Sequence, residues 1–596
     1  MALKLKPCRP LLLTSLLGTL LWFGLTPLAS AQALQTADPT VPRPNTRPCV
    51  VELFNANYQS GLGNAAKRPF VYAPPAGCPA PWAKVVLETS FTVGYSGESA
   101  PFAVWLGGIN LYYGHTLAVY NGLSGNSTTW TAERDLTDYT PLFTRAGIGQ
   151  TQYYDASLDW TSAVTATARL LFYPVSATTP APKTADRVYA LGTDPQGGFT
   201  PLKTSTDTLS AVLSLPRNIE RAYLDIFAQG YQGDGSWWHC LPDKDLQFAY
   251  GCGGGAFREV EVSIDGQPAG VAPVLPVVLP DDVSGPLSLP LPGVQVKNLM
   301  PYRVDLSPFA GQLSNGRLHQ VSLSVAGAHN LFVATANLML YQDRGTRQVT
   351  GKITRNTLIG QAPTPTVNDT LHGVRNNFSG DVSTQLQRYF QIEGYVDGSH
   401  GRITNLVAQS MSFDSQHHLE YIHPANQAGG SKDNVSFLTV FNSVSEYRQG
   451  EQLLGSDSTH VDYPLTMTKS TQFTRLGRQD SNLVNVLATD NRHFLSVRNG
   501  VTQHEASVHN DVAIDASYIY DPRNPVNTRD SHQSFDFSDS LGSCYHFNIA
   551  SAQGVLVSLS QGNGCPNDRN SVDWRAHPDG SPDGLSWISP QLRFGQ

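Results

Sequence analysis

Charged side chains are scarce in this chain, 15% of its 596 residues, and nowhere do lysines and arginines gather into a stripe. Neutralising a phosphate backbone takes clustered cations, so a net charge of -8 without such a cluster excludes nucleic acid and points to neutral or polar partners. Past Leu28 no stretch approaches the ~20 apolar residues that span a bilayer, so no stable membrane insertion is expected. No Gly-x-Ser-x-Gly elbow follows a strand pattern, and no Gly-rich phosphate loop is present, which sets aside serine-hydrolase and nucleotide chemistry. A repeat of fixed period is also missing, which disfavours propellers and solenoids. No segment sustains a capped amphipathic helix. What is abundant fits sheets and turns instead: 52 glycines, 40 prolines and 10% aromatic residues.

Lys4, Lys6 and Arg9 precede an apolar run from Leu11 to about Leu28, and Ala29, Ser30 and Ala31 offer a small-residue cleavage site. That pattern predicts a signal peptide over 1–31 and a secreted or periplasmic protein, followed by a flexible, proline-rich leader over 32–47. Seven cysteines are present, and Cys8 leaves with the signal. The remaining six fall in local couples in a compartment that permits disulfides, so the expected bridges are Cys49–Cys78, Cys240–Cys252 and Cys544–Cys565. Zinc sites favour tighter spacing, and the adjacent His417 and His418 would point to opposite sides of a strand. Neither a metal nor another cofactor is expected.

Short apolar runs broken by Gly, Pro and Ser, such as 84–87, 102–106 and 168–173, predict strands from residue 48 to 175. An Ala/Thr/Pro-rich connection follows at 176–185. Alternation is cleanest in Val260, Val262 and Ile264, closed by the turn Asp265-Gly266, and again in Val321, Leu323 and Val325. Phe332, Ala334, Ala336, Leu338 and Leu340 repeat it. One face buried and one wet, without helices to cover them, means that sheets pack on sheets. The expectation is an all-β protein of tandem jelly-roll or β-sandwich domains, 48–175 and 186–346, plus a C-terminal β-rich domain over 347–596.

Several stretches carry a resemblance in one order along the chain. Pro48-Cys49-Val50-Val51-Glu52-Leu53-Phe54, Cys78-Pro79 with Pro81-Trp82, Val104-Trp105-Leu106-Gly107-Gly108-Ile109, and Trp130-Thr131 with Glu133-Arg134-Asp135 are the first. Leu215-Pro216-Arg217-Asn218, Arg258-Glu259-Val260 and Ala336-Asn337-Leu338 continue it. Over residues 48 to about 343 this resembles the peptide-N-glycosidase A family. The resemblance implies paired jelly-roll sandwiches. It also implies an amidase cleaving between an asparagine side chain and the first N-acetylglucosamine of N-glycosylated proteins or glycopeptides. Where the family carries Asp-Arg before Val-Trp-Leu-Gly-Gly, this chain has Glu98-Ser99-Ala100-Pro101, so the aspartate falls on Ser99. The family's Asp-Glu-Phe-Trp-Tyr reads here Asp234-Gly235-Ser236-Trp237-Trp238, and an Arg and a Glu of the family match Tyr113 and Ala118.

Amide hydrolysis needs an activated water, a stabilised oxyanion and a proton for the departing amine, and carboxylates serve the first and last. The candidate acids are Glu98, one position from the replaced aspartate, Asp234, Asp159 beside Trp160, and Glu259 ahead of the alternating valines. Each also fits a solvated turn or strand position. Trp105, Trp237 and Trp238 offer planes for sugar rings, with core packing as the alternative, and His239 offers a proton at acid pH. On a strand, Trp237 and Trp238 would face opposite sides, one in the core and one toward ligand. The two functions that follow are a secreted amidase active at acidic pH, and a family member that has lost catalysis and binds glycans.

Overall fold

The computed structural model describes residues 41, 43–59, 66–93, 100–116, 128–154, 163–248, 252–278, 298–299, 301–423, 428–473, 479–519, 526–540, 544–552, 555–561 and 565. Residues 1–31 and most of the leader lie outside them. The chain is all β, and every strand pairing is antiparallel. Two four-stranded sheets make the first sandwich. One runs in the order Cys49–Gln59, Ala163–Pro174, Trp82–Val93, Thr128–Asp135, and the other Ala66–Tyr72, Gly147–Tyr153, Pro101–Leu106, Ile109–His115. Leu53, Val85, Phe91, Val104, Trp130 and Phe172 lock the two together.

The second sandwich pairs a five-stranded sheet, built around Ile219–Gly230 and Phe332–Gln342, with the four strands Leu209–Ser214, Leu318–Ala326, Glu259–Ile264 and Gln267–Pro273. Val260, Val262 and Ile264 are buried as the alternation requires, and Asp265 and Gly266 both take positive φ in the turn between strands, at 52° and 78°. Phe332–Gln342 is buried along nearly its whole length. Its even-numbered residues fill the core of the second sandwich, while Thr335, Asn337 and Met339 meet the first sandwich.

From Thr350 to Gln561 the chain forms a twelve-stranded sheet, most of it a meander of long hairpins such as Asn377–Gly398, Gly401–Ile422 and Gly429–Gln449. Among the described residues this sheet has no core of its own. Phe413, Phe437, Val461 and Val484 join the core of the second sandwich. Phe494, Val508, Phe535 and Phe537 pack with Val86, Leu171 and Tyr173 of the first. The C-terminal sheet therefore covers both sandwiches.

The three expected disulfides are present, Cys49–Cys78, Cys240–Cys252 and Cys544–Cys565. The end of the leader departs from its expected flexibility. Val41 is buried in the cluster that Val86, Leu171 and Tyr173 form with the C-terminal sheet, and its N–H donates to Glu133 Oε2 at 2.8 Å, while Arg43 pairs with Glu133 and Glu88. No helix among the described residues is long and apolar enough to cross a membrane.

Candidate functional site

The seam between the sandwiches is polar and buried. Asn110 and Asn337 exchange bonds, Asn110 N–H to Asn337 Oδ1 at 3.0 Å and Asn337 Nδ2 to Asn110 O at 2.9 Å. Cross-strand from Asn337, Asp225 accepts from Arg303 Nε and Nη2 at 2.7 and 2.8 Å. Trp105, a candidate sugar platform, lies wholly inside this seam, with Nε1 donating to Thr335 Oγ1 at 3.1 Å and Phe199 edge-on at 5.0 Å. Its ring belongs to the packing.

Asp234 sits on a single 3-10 turn, fully buried. Its Oδ1 accepts from Arg258 Nη2 at 2.9 Å, and its Oδ2 accepts from the backbone N–H groups of His329, Asn330 and Leu331 at 3.1, 2.7 and 2.8 Å. Arg258 in turn donates to the carbonyls of Gly253, Gly255 and Phe257, which frame the Cys240–Cys252 bridge. A carboxylate engaged this way ties loops together and has no room for a water. Glu259 is also fully buried rather than solvated, and its Oε1 pairs with Arg388 of the C-terminal sheet. Glu98 and Asp159 lie outside the described residues.

Trp237 and Trp238 do not alternate across a strand, which corrects that expectation. They occupy a second 3-10 turn, closed by Cys240 N–H to Trp237 O at 3.0 Å, and both rings are buried between the second sandwich and the C-terminal sheet. Trp237 meets Phe437 edge-on at 5.6 Å. His239 is half-buried beside Trp238, with His417 at 6.5 Å. Burial lowers its pKa against the pull of Asp433, so it stays neutral further into acid than a free histidine and is a poor proton donor there.

The residues the structure gathers instead surround a hollow where both sandwiches and the C-terminal sheet meet. It measures about 820 Å³ counted with the open solvent at its mouth, and leaves about 90 Å³ for the centres of water-sized molecules. The first sandwich contributes Tyr113, stacked on Phe227 at 5.3 Å, and the second contributes Gln229 and Tyr302. The C-terminal sheet adds Asp490, Arg492 and Asn510. Asp490 and Arg492 neutralise each other through bonds of 2.7 and 2.6 Å. Tyr113 Oη and Gln229 Nε2 are buried and have no hydrogen-bond partner among the described residues. Two residues past Tyr113, His115 is 1% exposed with both ring nitrogens unpartnered, and burial pushes its pKa down to about 3. Strand alternation puts Tyr113 and His115 on one face, but nothing in the sequence alone joined them to residues 229, 490 and 510.

Among the described residues, three potential metal ligands lie within 4.8 Å of one another, Cys544, His546 and Cys565. The two sulfurs are bonded to each other, so they are not the thiolates a metal would need.

A family model described as peptide N-acetyl-beta-D-glucosaminyl asparaginase amidase A matches residues 38–358. The chain is 23% identical over 544 residues to peptide-N4-(N-acetyl-beta-glucosaminyl)asparagine amidase A of Prunus dulcis, over 88% of this chain and 91% of that one. Among solved structures it is similar to PNGase F, a glycosylasparaginase from Flavobacterium meningosepticum, with 13% identity and a TM-score of 0.30 over 48% of this chain and 96% of that one. PNGF-II matches with 10% identity and a TM-score of 0.34, over 50% of this chain and 66% of that one.

Proposed function

Because the chain belongs to the peptide N-acetyl-β-D-glucosaminyl asparaginase amidase A family, we propose that it hydrolyses the amide linking an asparagine side chain to N-acetylglucosamine and so releases N-glycans. The observation that carries this reading is the extent of the family match, which takes in both sandwiches and the seam between them. Water adds to the amide carbonyl, the tetrahedral oxyanion collapses, and the departing amine takes a proton, leaving aspartate and a glycosylamine. With Asp234 and Glu259 locked in buried ion pairs, Glu98 is the acid best suited to handle these protons. It precedes Ala100 by two residues, and Ala100 N–H donates to Thr116 Oγ1 at 3.1 Å, at the end of the strand that carries Tyr113 and His115. Three disulfides support export to an oxidising compartment, secreted or periplasmic, where glycoproteins and glycopeptides are met.

The engagement of Asp234, Glu259 and Asp490 by arginines favours a second reading, a family member that binds glycans without cleaving them. Incubation with a denatured N-glycoprotein from mildly acidic to neutral pH separates the two. The amidase releases glycan and converts the asparagine to aspartate, seen by mass, and Glu98→Gln lowers kcat at least about a hundredfold. Glycan binding without release at any pH establishes the second reading.

A further inference from the structure

We propose that His460 and His493 form a chelating pair for a divalent transition-metal ion, of the zinc and copper class, on the outer face of the C-terminal sheet. The two residues lie on neighbouring strands, Gln452–Phe473 and Gln479–Arg498, directly opposite each other in the antiparallel register. Their chain neighbours Val461 and Phe494 are buried in the cores beneath, so strand alternation turns both imidazoles outward. Directly opposed side chains leave a sheet about 5 Å apart at Cβ, which lets two rings reach one ion. A hollow of about 750 Å³, counted with the open solvent at its mouth, runs over this part of the sheet, and both histidines line it.

One nitrogen of each ring is already committed, and the commitment fixes the tautomer. His460 Nδ1–H donates to Asn442 Oδ1 at 2.8 Å, and Asn442 Nδ2 donates to Ser410 Oγ at 3.3 Å, which keeps the amide oxygen toward the ring. His493 Nε2–H donates to Glu505 Oε1 at 2.9 Å. A neutral imidazole carries one N–H and one lone pair, so His460 Nε2 and His493 Nδ1 hold the lone pairs. No hydrogen bond among the described residues uses either of them. An imidazole held through its other nitrogen by an amide or carboxylate is the arrangement that metal-ligating histidines use. Asp462, two residues beyond His460 on the same face, adds negative charge beside the pair. His509 lines the same hollow but is spent differently, since its Nδ1 meets Asn491 Oδ1 and its Nε2 meets Asp511 Oδ2, both at 2.6 Å. Imidazole nitrogen suits zinc, copper and nickel, whereas magnesium and calcium take oxygen. Two protein donors leave the remaining coordination positions to water.

The test titrates the full chain, made without a histidine tag, with Zn²⁺ in a calorimeter. Zn²⁺ binds, and Mg²⁺ at the same concentration does not. His460→Ala and His493→Ala each weaken the tightest Zn²⁺ site at least about tenfold, while His509→Ala leaves it within about twofold. Because the ion ties two strands of the folded sheet, saturating Zn²⁺ raises the Tm of the parent and of His509→Ala, and not that of the other two variants. Without metal, His460→Ala and His493→Ala melt close to the parent, as surface substitutions do. No Zn²⁺ binding, binding unchanged in both His460→Ala and His493→Ala, equal binding of Mg²⁺, or a loss in His509→Ala as large as in the pair would overturn the inference.

Discussion

His115 enters the fold uncharged, and no acceptor or carboxylate meets either of its ring nitrogens among the described residues. Its folded pKa of about 3 lies below the unfolded value of about 6.5, so the unfolded chain takes up the proton first as pH falls. The stability this neutral ring contributes is complete above about pH 6.5 and declines from there toward pH 3. At pH 5 the loss is about 2 kcal/mol relative to neutral pH, and denaturant unfolding at the two values should show it in the parent chain and not in His115→Phe. Asp234 makes a second prediction. Asp234→Asn leaves Arg258 buried beside a neutral amide and should cost about 3–5 kcal/mol by the same measurement. If Asp234 holds loops rather than protons, kcat per folded molecule stays near the parent's. The sequence named Asp234 and Glu259 as candidate acids, yet held no sign of the buried arginines that engage them. Arg258 is 24 residues from Asp234 in the chain, and Arg388 is 129 from Glu259.

Strands were legible wherever one face is apolar and the other wet, as in Glu259–Ile264. They were harder to read where the inward face carries polar side chains. In Gly401–Ile422 the buried positions run Asn405, Val407, Gln409, Met411, Phe413, Ser415, His417 and Leu419, so the alternation breaks into short apolar fragments. This 22-residue strand was not picked out in the sequence. The run at 237–239 failed for another reason, since consecutive 3-10 turns place neighbouring rings together and no period marks them. At the seam, Phe332–Gln342 shows how an element serves two modules, with Asn337 holding Asn110 through both its amide atoms. Asn337→Leu should leave the N–H and C=O of Asn110 unpaired in the interior, at about 1–3 kcal/mol, measured by thermal unfolding.

For the whole molecule, the boundary expected near residue 347 falls inside a continuous core. Trp237 and Phe257 meet Phe437 and Phe413 across it, and Tyr463 Oη donates to Pro276 O at 2.8 Å. A chain ending at residue 346 should therefore display a wide apolar face. The expected outcome is aggregation on expression, or strong binding of a hydrophobic dye by any soluble fraction; a monomeric, dye-free fragment would show that the sandwiches stand alone. The hollow at the junction would be incomplete in that fragment, which lacks Asp490 and Asn510.

The order of synthesis gives this arrangement a kinetic side. The strands that shelter the sandwiches are made last, from Thr350 to Gln561, so at ribosomal speeds the growing polypeptide carries a bare greasy surface for roughly ten to forty seconds. Its maturation should depend on holding factors during that interval, and slowing translation late in the message should lower the yield of native protein.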